Sequence, residues 1–471
     1  MHSIVESCTK SKMNHQGAVV ALMTFVFISS VMVSGVMGAS MNRPNIIFIF
    51  ADDWGYGDLG IHGSMFCKTP NLDRMAAEGI DFQNFTVNNP VCSPSRTAVL
   101  TGQFPARHCV HQHFHMVKHH IRTGMPDWLD PGAPMLPRML QEAGYVTAHF
   151  GKWHLCNDEI PDGPVPTAYG YDEFGAFDLP GEAPMMHCIA TCPRAVDFIK
   201  RHKDQPFFIN LWLHETHTPH YPLEQYLEQF RDLDERKKVY AAVVAEADAG
   251  VGLVLDTLKD LGLDKNTLVI FSSDNGPENT GKTKWVERNF TGPGYGTYYS
   301  VGETAALKGQ KRSLYAGGVR VPFIARWPGV VPAGKTDRES VLTAVDLLPT
   351  FLELAGVELP DDYAPDGESI VLALKGKGLS RSKPIFWEWQ GAKNHPDVWP
   401  HRGIRDGQWK LLYNAKLGKT ELYNIEADWA EEMDVSREHP EIVEKLSKQL
   451  NDWTKTLPTS PPAHCYSRLR N

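Results

Sequence analysis

The chain predicts an α/β fold: a large, mostly parallel sheet sandwiched by helices, followed by a smaller C-terminal antiparallel sheet with a helix. Three features of the sequence lead to that expectation. Continuously apolar runs such as Asn45 to Phe50 alternate with helical stretches, and strands apolar on both faces belong inside a parallel sheet covered on both sides. These runs end in polar clusters, which is where open α/β sheets hold their ligands. From about Ser382 the pattern changes to short strands separated by turns, closed by one amphipathic helix.

Taken in order, the first residues read as an export signal. Lys10 and Lys12 precede an uncharged apolar run from Gly17 to Ala39, with a cleavage point after Val36-Met37-Gly38. The expected organisation is a signal peptide at 1–39, a large N-terminal domain at 40–381 and a C-terminal α+β subdomain at 382–471. The protein is then periplasmic or secreted; left uncleaved, the same run is long enough to anchor it in a bilayer. No later segment is apolar enough to span, and no stable membrane partner is expected.

Thr69-Pro70 opens a helix over Leu72 to Glu78 that Gly79 closes. Further helices are expected near Met135 to Ala143 and Glu235 to Leu261, and strands at Val146 to Phe150, Pro206 to Leu213 and Leu268 to Phe271. In the C-terminal part, strands are expected at Pro384 to Trp389, Gly403 to Arg405, Trp409 to Tyr413 and Glu421 to Tyr423. Gly407 sits in a turn, and the helix covers Pro440 to Leu457.

A formal charge of −9 and a pI near 6.1 leave no basic stripe, which argues against nucleic acid as a partner. Attraction for an anionic substrate must therefore be local. Apart from Cys8 and Cys92, the chain has Cys67, Cys109, Cys156, Cys188, Cys192 and Cys465, which could form disulfides in an oxidising compartment in a pairing the sequence leaves open.

Carboxylates gather at strand ends. Asn45 to Phe50 runs into Asp52-Asp53, and Leu268 to Phe271 runs into Asp274-Asn275. Four oxygen donors with no thiolate or imidazole among them suit Ca²⁺ or Mg²⁺ rather than zinc, although each pair alone could be a turn or a helix cap. Cations arrive the same way. Lys152 and His154 follow one strand and would share a side if it continued; His214, His217 and His220 follow another. Lys308 and Lys311 precede Tyr315-Ala316-Gly317-Gly318, whose glycines suggest a tight backbone approach. A metal, lysines and histidines together describe a site for cleaving an oxyanion ester.

Cys92-Ser93-Pro94-Ser95-Arg96, followed by Leu100-Thr101-Gly102, places a thiol one turn before a helix start. Alone, Cys92 could be a nucleophile activated by the helix end and Arg96, or a small buried residue. With the landmarks Ala51-Asp52-Asp53, Thr69-Pro70-Asn71-Leu72-Asp73, Gly151-Lys152-Trp153-His154, Ser273-Asp274-Asn275-Gly276 and Trp327-Pro328-Gly329, the chain resembles the type I, formylglycine-dependent sulfatases of the alkaline phosphatase superfamily. The resemblance spans nearly the whole chain beyond the leader. It implies that a separate maturation enzyme oxidises Cys92 to Cα-formylglycine, whose hydrate attacks sulfur, and that re-forming the aldehyde expels the sulfate. It also implies one Ca²⁺ held by Asp52, Asp53, Asp274, Asn275 and residue 92. Arg96 and Lys152 would hold the formylglycine oxygens, His154 would assist elimination, His217 would protonate the leaving oxygen and Lys311 would bind a sulfate oxygen. His220 competes with His217, and Lys308 with Lys311. Where the family commonly has Y-E-G-G, this chain has Ala316 in place of the glutamate.

The expected substrate is a sulfated carbohydrate, a galactose or N-acetylgalactosamine sulfate in an oligo- or polysaccharide. His111, His113 and His115, in a histidine-rich stretch that also holds His108, His119 and His120, together with His220 and Arg402, are candidates to grip it. A plain surface loop is the alternative for any single histidine. Trp387, Glu388, His395, Trp399 and His401 could add sugar contacts, with core packing the alternative for Trp387 and Trp389. Two other functional classes remain: a phosphodiester or phosphonate monoester hydrolase built on the same site, and a non-catalytic sulfated-glycan-binding protein with unmodified Cys92.

Overall fold

The computed structural model describes residues 43–179, 188–280, 300–390 and 400–470, together with the strand pair Trp285–Val286 and Gly296–Thr297. The expected export signal, His395 and Trp399 lie outside the described residues.

An eight-stranded sheet forms the centre. Its strands are β1 (Asn45–Ala51), β2 (Ile80–Phe82), β3 (Val146–Lys152), β4 (Glu173–Phe177), β5 (Phe207–Trp212), β6 (Thr267–Ser273), β7 (Phe323–Arg326) and β8 (Lys335–Asp337), in the order β8-β2-β7-β6-β1-β5-β3-β4. Every pairing is parallel except those of β7, which runs antiparallel to both β2 and β6. All seven residues of β1 are buried, as a central strand covered on both faces requires.

Alternation along β1 feeds two cores. Ile47 and Ile49 enter one cluster with Phe198, Val251 and Leu255, carried by the helices Cys188–Arg201 (α5) and Glu235–Asp260 (α6). Ile46, Phe48 and Phe50 enter the other with Leu100, Leu140 and Phe351, from the helices Cys92–Thr101 (α2), Leu136–Glu142 (α4) and Leu347–Ala355 (α7). Truncating a fully buried phenylalanine such as Phe48 to alanine costs about 3–5 kcal/mol in such a setting.

The C-terminal sheet is antiparallel, with strands Ile385–Glu388, Arg402–Asp406, Trp409–Asn414 and Lys419–Asn424 in sequential order, followed by the helix Pro440–Lys455. Its Ile385, Trp387, Ile404, Leu411 and Leu422 join the second apolar cluster of the large sheet. Trp387 and Trp389 are core residues, each 1% exposed. Gly407 takes the turn with φ +60°.

Three expectations need correction. Helix α2 begins at Cys92 itself, not a turn later, so Pro94 is its third residue. Strand β3 stops at Lys152, and His154 takes φ +53°, so the two side chains are not arranged by strand alternation. Cys67, Cys109, Cys156 and Cys465 are buried free thiols rather than disulfide partners.

Candidate active site

The site forms where β1, β3, β5 and β6 end. β1 delivers Asp52 and Asp53, β6 delivers Asp274 and Asn275, β3 delivers Lys152, and the turn after β5 delivers His214 and His217. The two carboxylate turns are locked together: Asp274 N–H donates to Ala51 O at 3.0 Å, and Asp53 N–H donates to Asp274 Oδ1 at 3.2 Å. Asp53 takes φ +62° to make this turn. At Gly276 a Cβ would lie 1.8 Å from Gly317 O, so the tight approach expected at Gly317-Gly318 is met by a second glycine across from it.

Opposite charges interleave. Lys311 Nζ donates to Asp53 Oδ2 at 2.6 Å, and Lys152 Nζ donates to Asp52 Oδ2 and lies 3.7 Å from Cys92 Sγ. Arg96, wholly buried, donates through Nη2 at 2.7 Å and Nε at 3.2 Å to Asp274 Oδ2, and through Nη1 to Lys152 O. Its guanidinium lies 4.8 Å from the centre of the Trp212 ring. Burial and the neighbouring Asp52 push the Asp274 carboxyl above its ordinary range. Burial would also raise Asp52, but Lys152, His217 and His214 hold it well below. Burial pushes the Cys92 thiol up to about 12, so an unmodified thiol here is a poor nucleophile at neutral pH.

The donor set fits a cation. Ligand atoms of Asp52, Asp53, Cys92 and His217 lie within 4.8 Å of one another. Asp52 Oδ1 and Asn275 Oδ1 are buried oxygens with no hydrogen-bond partner. Orphaned acceptors amid crowded carboxylates are what a hard, oxygen-preferring ion would satisfy.

The rival candidates separate in space. His217 has a quarter of its side chain exposed, stacks on His214 at 4.7 Å and reaches to 3.9 Å from Asp53 Oδ2. His220 has no exposed surface; its Nδ1 meets Glu215 O and its ring abuts Tyr240, so it has no face with which to touch a sugar. Lys308 turns to Tyr423 and the ring of Tyr315. His154 Nε2 lies 3.0 Å from Phe114 O, an atom that can only accept, so the proton sits on Nε2 and the unpartnered Nδ1 keeps its lone pair.

In the histidine stretch, His113 lies 6.1 Å ring to ring from His154, with His115 and His119 each under 6 Å from His113. His120 is wholly buried between Asp127 and the backbone of His115. His111 and Arg402 meet on one acid: His111 Nδ1 lies 2.7 Å from Glu388 Oε1, and Arg402 Nε donates to Glu388 Oε2 at 2.8 Å. Burial would raise Glu388, yet those two partners hold it down at about 2.

Sequence reasoning gave no role to His214, whose Nδ1 is 2.6 Å from Asp52 Oδ2, to Glu278, which braces Lys311 and Arg312, or to Glu388 as a hinge between two elements. His214 sits at a strand end and was within reach of that signal; the other two depend on loop paths. Where the family glutamate is missing at Ala316, Glu431 from the C-terminal part brings a carboxylate to the Ala316 N–H at 2.7 Å.

The profile of the Sulfatase family matches residues 44–357, and that described as N-sulphoglucosamine sulphohydrolase, C-terminal, matches residues 308–456. The chain belongs to the sulfatase family, enzymes that hydrolyse sulfuric esters. It is 35% identical to N-acetylgalactosamine-6-sulfatase of Canis lupus familiaris over 386 residues, covering 73% of this chain and 68% of that one. It is 30% identical to arylsulfatase A of Homo sapiens, covering 79% and 75%. Among solved structures, Ps i-CgsB in complex with k-i-k-neocarrahexaose superposes with a TM-score of 0.73 at 28% identity, covering 89% of this chain and 95% of that one. No helix among the described residues is long and apolar enough to cross a membrane.

Proposed function

We propose that this chain is an exported sulfatase that removes sulfate from a galactose or N-acetylgalactosamine sulfate in an oligo- or polysaccharide, using Ca²⁺ and a Cα-formylglycine made from Cys92 by a separate maturation enzyme. The observation that carries the reading is one buried cluster in which Asp52, Asp53, Asp274 and Asn275 meet residue 92 and the cations Arg96, Lys152 and Lys311. The four oxygen donors would hold the ion. Once in place, the formylglycine hydrate supplies an oxygen nucleophile and the ion supplies positive charge beside the sulfate.

The side chains of this chain do the rest. Lys152 and Lys311 neutralise sulfate oxygens, and Arg96 keeps the Asp274 carboxylate aimed at residue 92. His217, at the open side of the cluster, gives a proton to the departing sugar oxygen. The free Nδ1 of His154 takes a proton in the step that releases sulfate. His111, His113, His115 and Arg402 are the proposed sugar contacts, and the name of the 35% identical relative supports N-acetylgalactosamine as the sugar.

The test is inorganic sulfate release from defined sulfated galactose and N-acetylgalactosamine oligosaccharides, with phosphodiester and phosphonate esters run in parallel, on protein co-produced with a maturation enzyme. Mass spectrometry of the peptide spanning residue 92 accompanies it. Turnover confined to the phosphorus esters would replace the sulfatase reading, and an intact thiol with no turnover would leave a glycan-binding protein.

A further inference from the structure

Far from the catalytic cluster in its chemistry, Asp130, His464 and Cys465 place a carboxylate oxygen, an imidazole nitrogen and a thiol sulfur within 4.8 Å of one another. We infer that this triad is a second metal site, for Zn²⁺, which clamps the C-terminal tail to the wall of the large domain. His464 Nε2 lies 2.9 Å from Asp130 Oδ1, and that oxygen also accepts the Gly132 N–H at 2.8 Å, which fixes the carboxylate's orientation. Cys465 is held at both ends: its N–H donates to Pro462 O, and its carbonyl accepts the Asp127 N–H at 2.8 Å. It has no exposed surface, is a free thiol and takes part in no other chemistry on the page.

The donors choose the ion. Nitrogen and sulfur with a single carboxylate select a borderline-soft cation over Ca²⁺, the reverse of the oxygen-only set at Asp52, Asp53, Asp274 and Asn275. Thiolate and carboxylate together cancel the charge of Zn²⁺, and the largely exposed His464 leaves the fourth, tetrahedral position to water. Ligand atoms around tetrahedral zinc sit about 3.5 Å apart, so the 2.9 Å His464–Asp130 pair must part slightly on binding, while the sulfur lies within 4.8 Å of both. On binding, the S–H bond breaks, a sulfur–zinc bond forms and the proton goes to solvent.

The consequence is mechanical. Asp127, whose N–H donates to the Cys465 carbonyl, already gathers the tail. Its carboxylate accepts Ser467 N–H at 2.7 Å and Arg470 Nε–H at 2.6 Å, and it holds His120 Nδ1 at 2.7 Å. His120 in turn accepts the His115 N–H, so the tail braces the histidine stretch beside the catalytic pocket.

Co²⁺ is the probe. Full-length, Ca²⁺-saturated protein should take up one Co²⁺ with a thiolate-to-cobalt charge-transfer absorption that Zn²⁺ displaces. The band should be absent in Cys465→Ser, bind about tenfold or more weakly in His464→Ala, and persist in Cys92→Ser, which separates it from the catalytic cluster. Zn²⁺ should raise the thermal midpoint of the wild type and not of His464→Ala. His464 is exposed, so its variant folds and remains decisive where Cys465→Ser does not. No band, a band unchanged in His464→Ala, or one lost in Cys92→Ser overturns the site.

Discussion

Replacing His217 by alanine separates proton donation from every other part of the reaction. The imidazole is a quarter exposed, stacked on His214 and 3.9 Å from Asp53 Oδ2, which is the ground for proposing it as the proton donor to the leaving oxygen. His220 cannot substitute, because it is wholly buried against Tyr240. Burial, Lys152 and Lys311 hold the His217 pKa well below its ordinary value, so proton donation requires that the negative charge of the bound ester offset the two lysines. A lost general acid costs on the order of 10²–10⁴-fold, or about 3–5 kcal/mol of barrier. That loss is expected in kcat/KM for a sugar sulfate, whose alkoxide leaves poorly. For an aryl sulfate with an acidic phenol the loss should shrink to about tenfold or less. Steady-state rates of wild type, His217→Ala and His220→Gln on both ester types supply the comparison. Equal losses of His217→Ala on sugar and aryl esters would refute proton donation, and a greater loss in His220→Gln would move the role.

Arg96→Met should lower stability by about 3–5 kcal/mol in urea denaturation, because Asp274 loses its two charge-assisted bonds and is left buried without the cation that favours its ionised form; a loss under about 1 kcal/mol would contradict that pairing. Gly276→Ala should destabilise by about 1–3 kcal/mol or block folding, since its Cβ meets the Gly317 carbonyl, which is backbone and cannot turn aside. Glu388 has its folded pKa depressed to about 2 from 4.5, so its contribution is full above about pH 4.5 and is lost as pH falls toward 2. That shift corresponds to about 3 kcal/mol, so the stability gap between wild type and Glu388→Gln, measured by denaturation from pH 6 to 2.5, should narrow with acid. A gap that stays constant would mean that His111 and Arg402 do not stabilise the ionised form.

Four adjoining strands of the large sheet, β1, β3, β5 and β6, could be read from the chain because their residues are apolar on both faces, and the long helix because its pattern runs for many turns; the shorter β2, β4, β7 and β8 could not. Asn45 to Phe50 and Leu268 to Phe271 were each found within a residue or two of β1 and β6. Their polar ends were legible for the same reason: a carboxylate pair placed directly after a buried strand has few structural roles. The start of α2 was less so, since Pro94 marks a preferred first-turn residue and does not say which one.

By itself the sequence determined the α/β class, the candidate oxygen donors and cations, and the pentapeptide around Cys92, because these depend on local pattern and on chemistry at strand ends. Only the tertiary structure separated His217 from His220 and Lys311 from Lys308 in space, putting His217 and Lys311 beside Asp53, since neighbours along a turn differ in where they point and the chain does not encode that locally. It also placed His111 and Arg402 on Glu388, and Asp130 beside His464 and Cys465. His111 and Glu388, like Asp130 and His464, are hundreds of residues apart in the chain, and only the packing of the C-terminal part against the large sheet brings them within bonding distance.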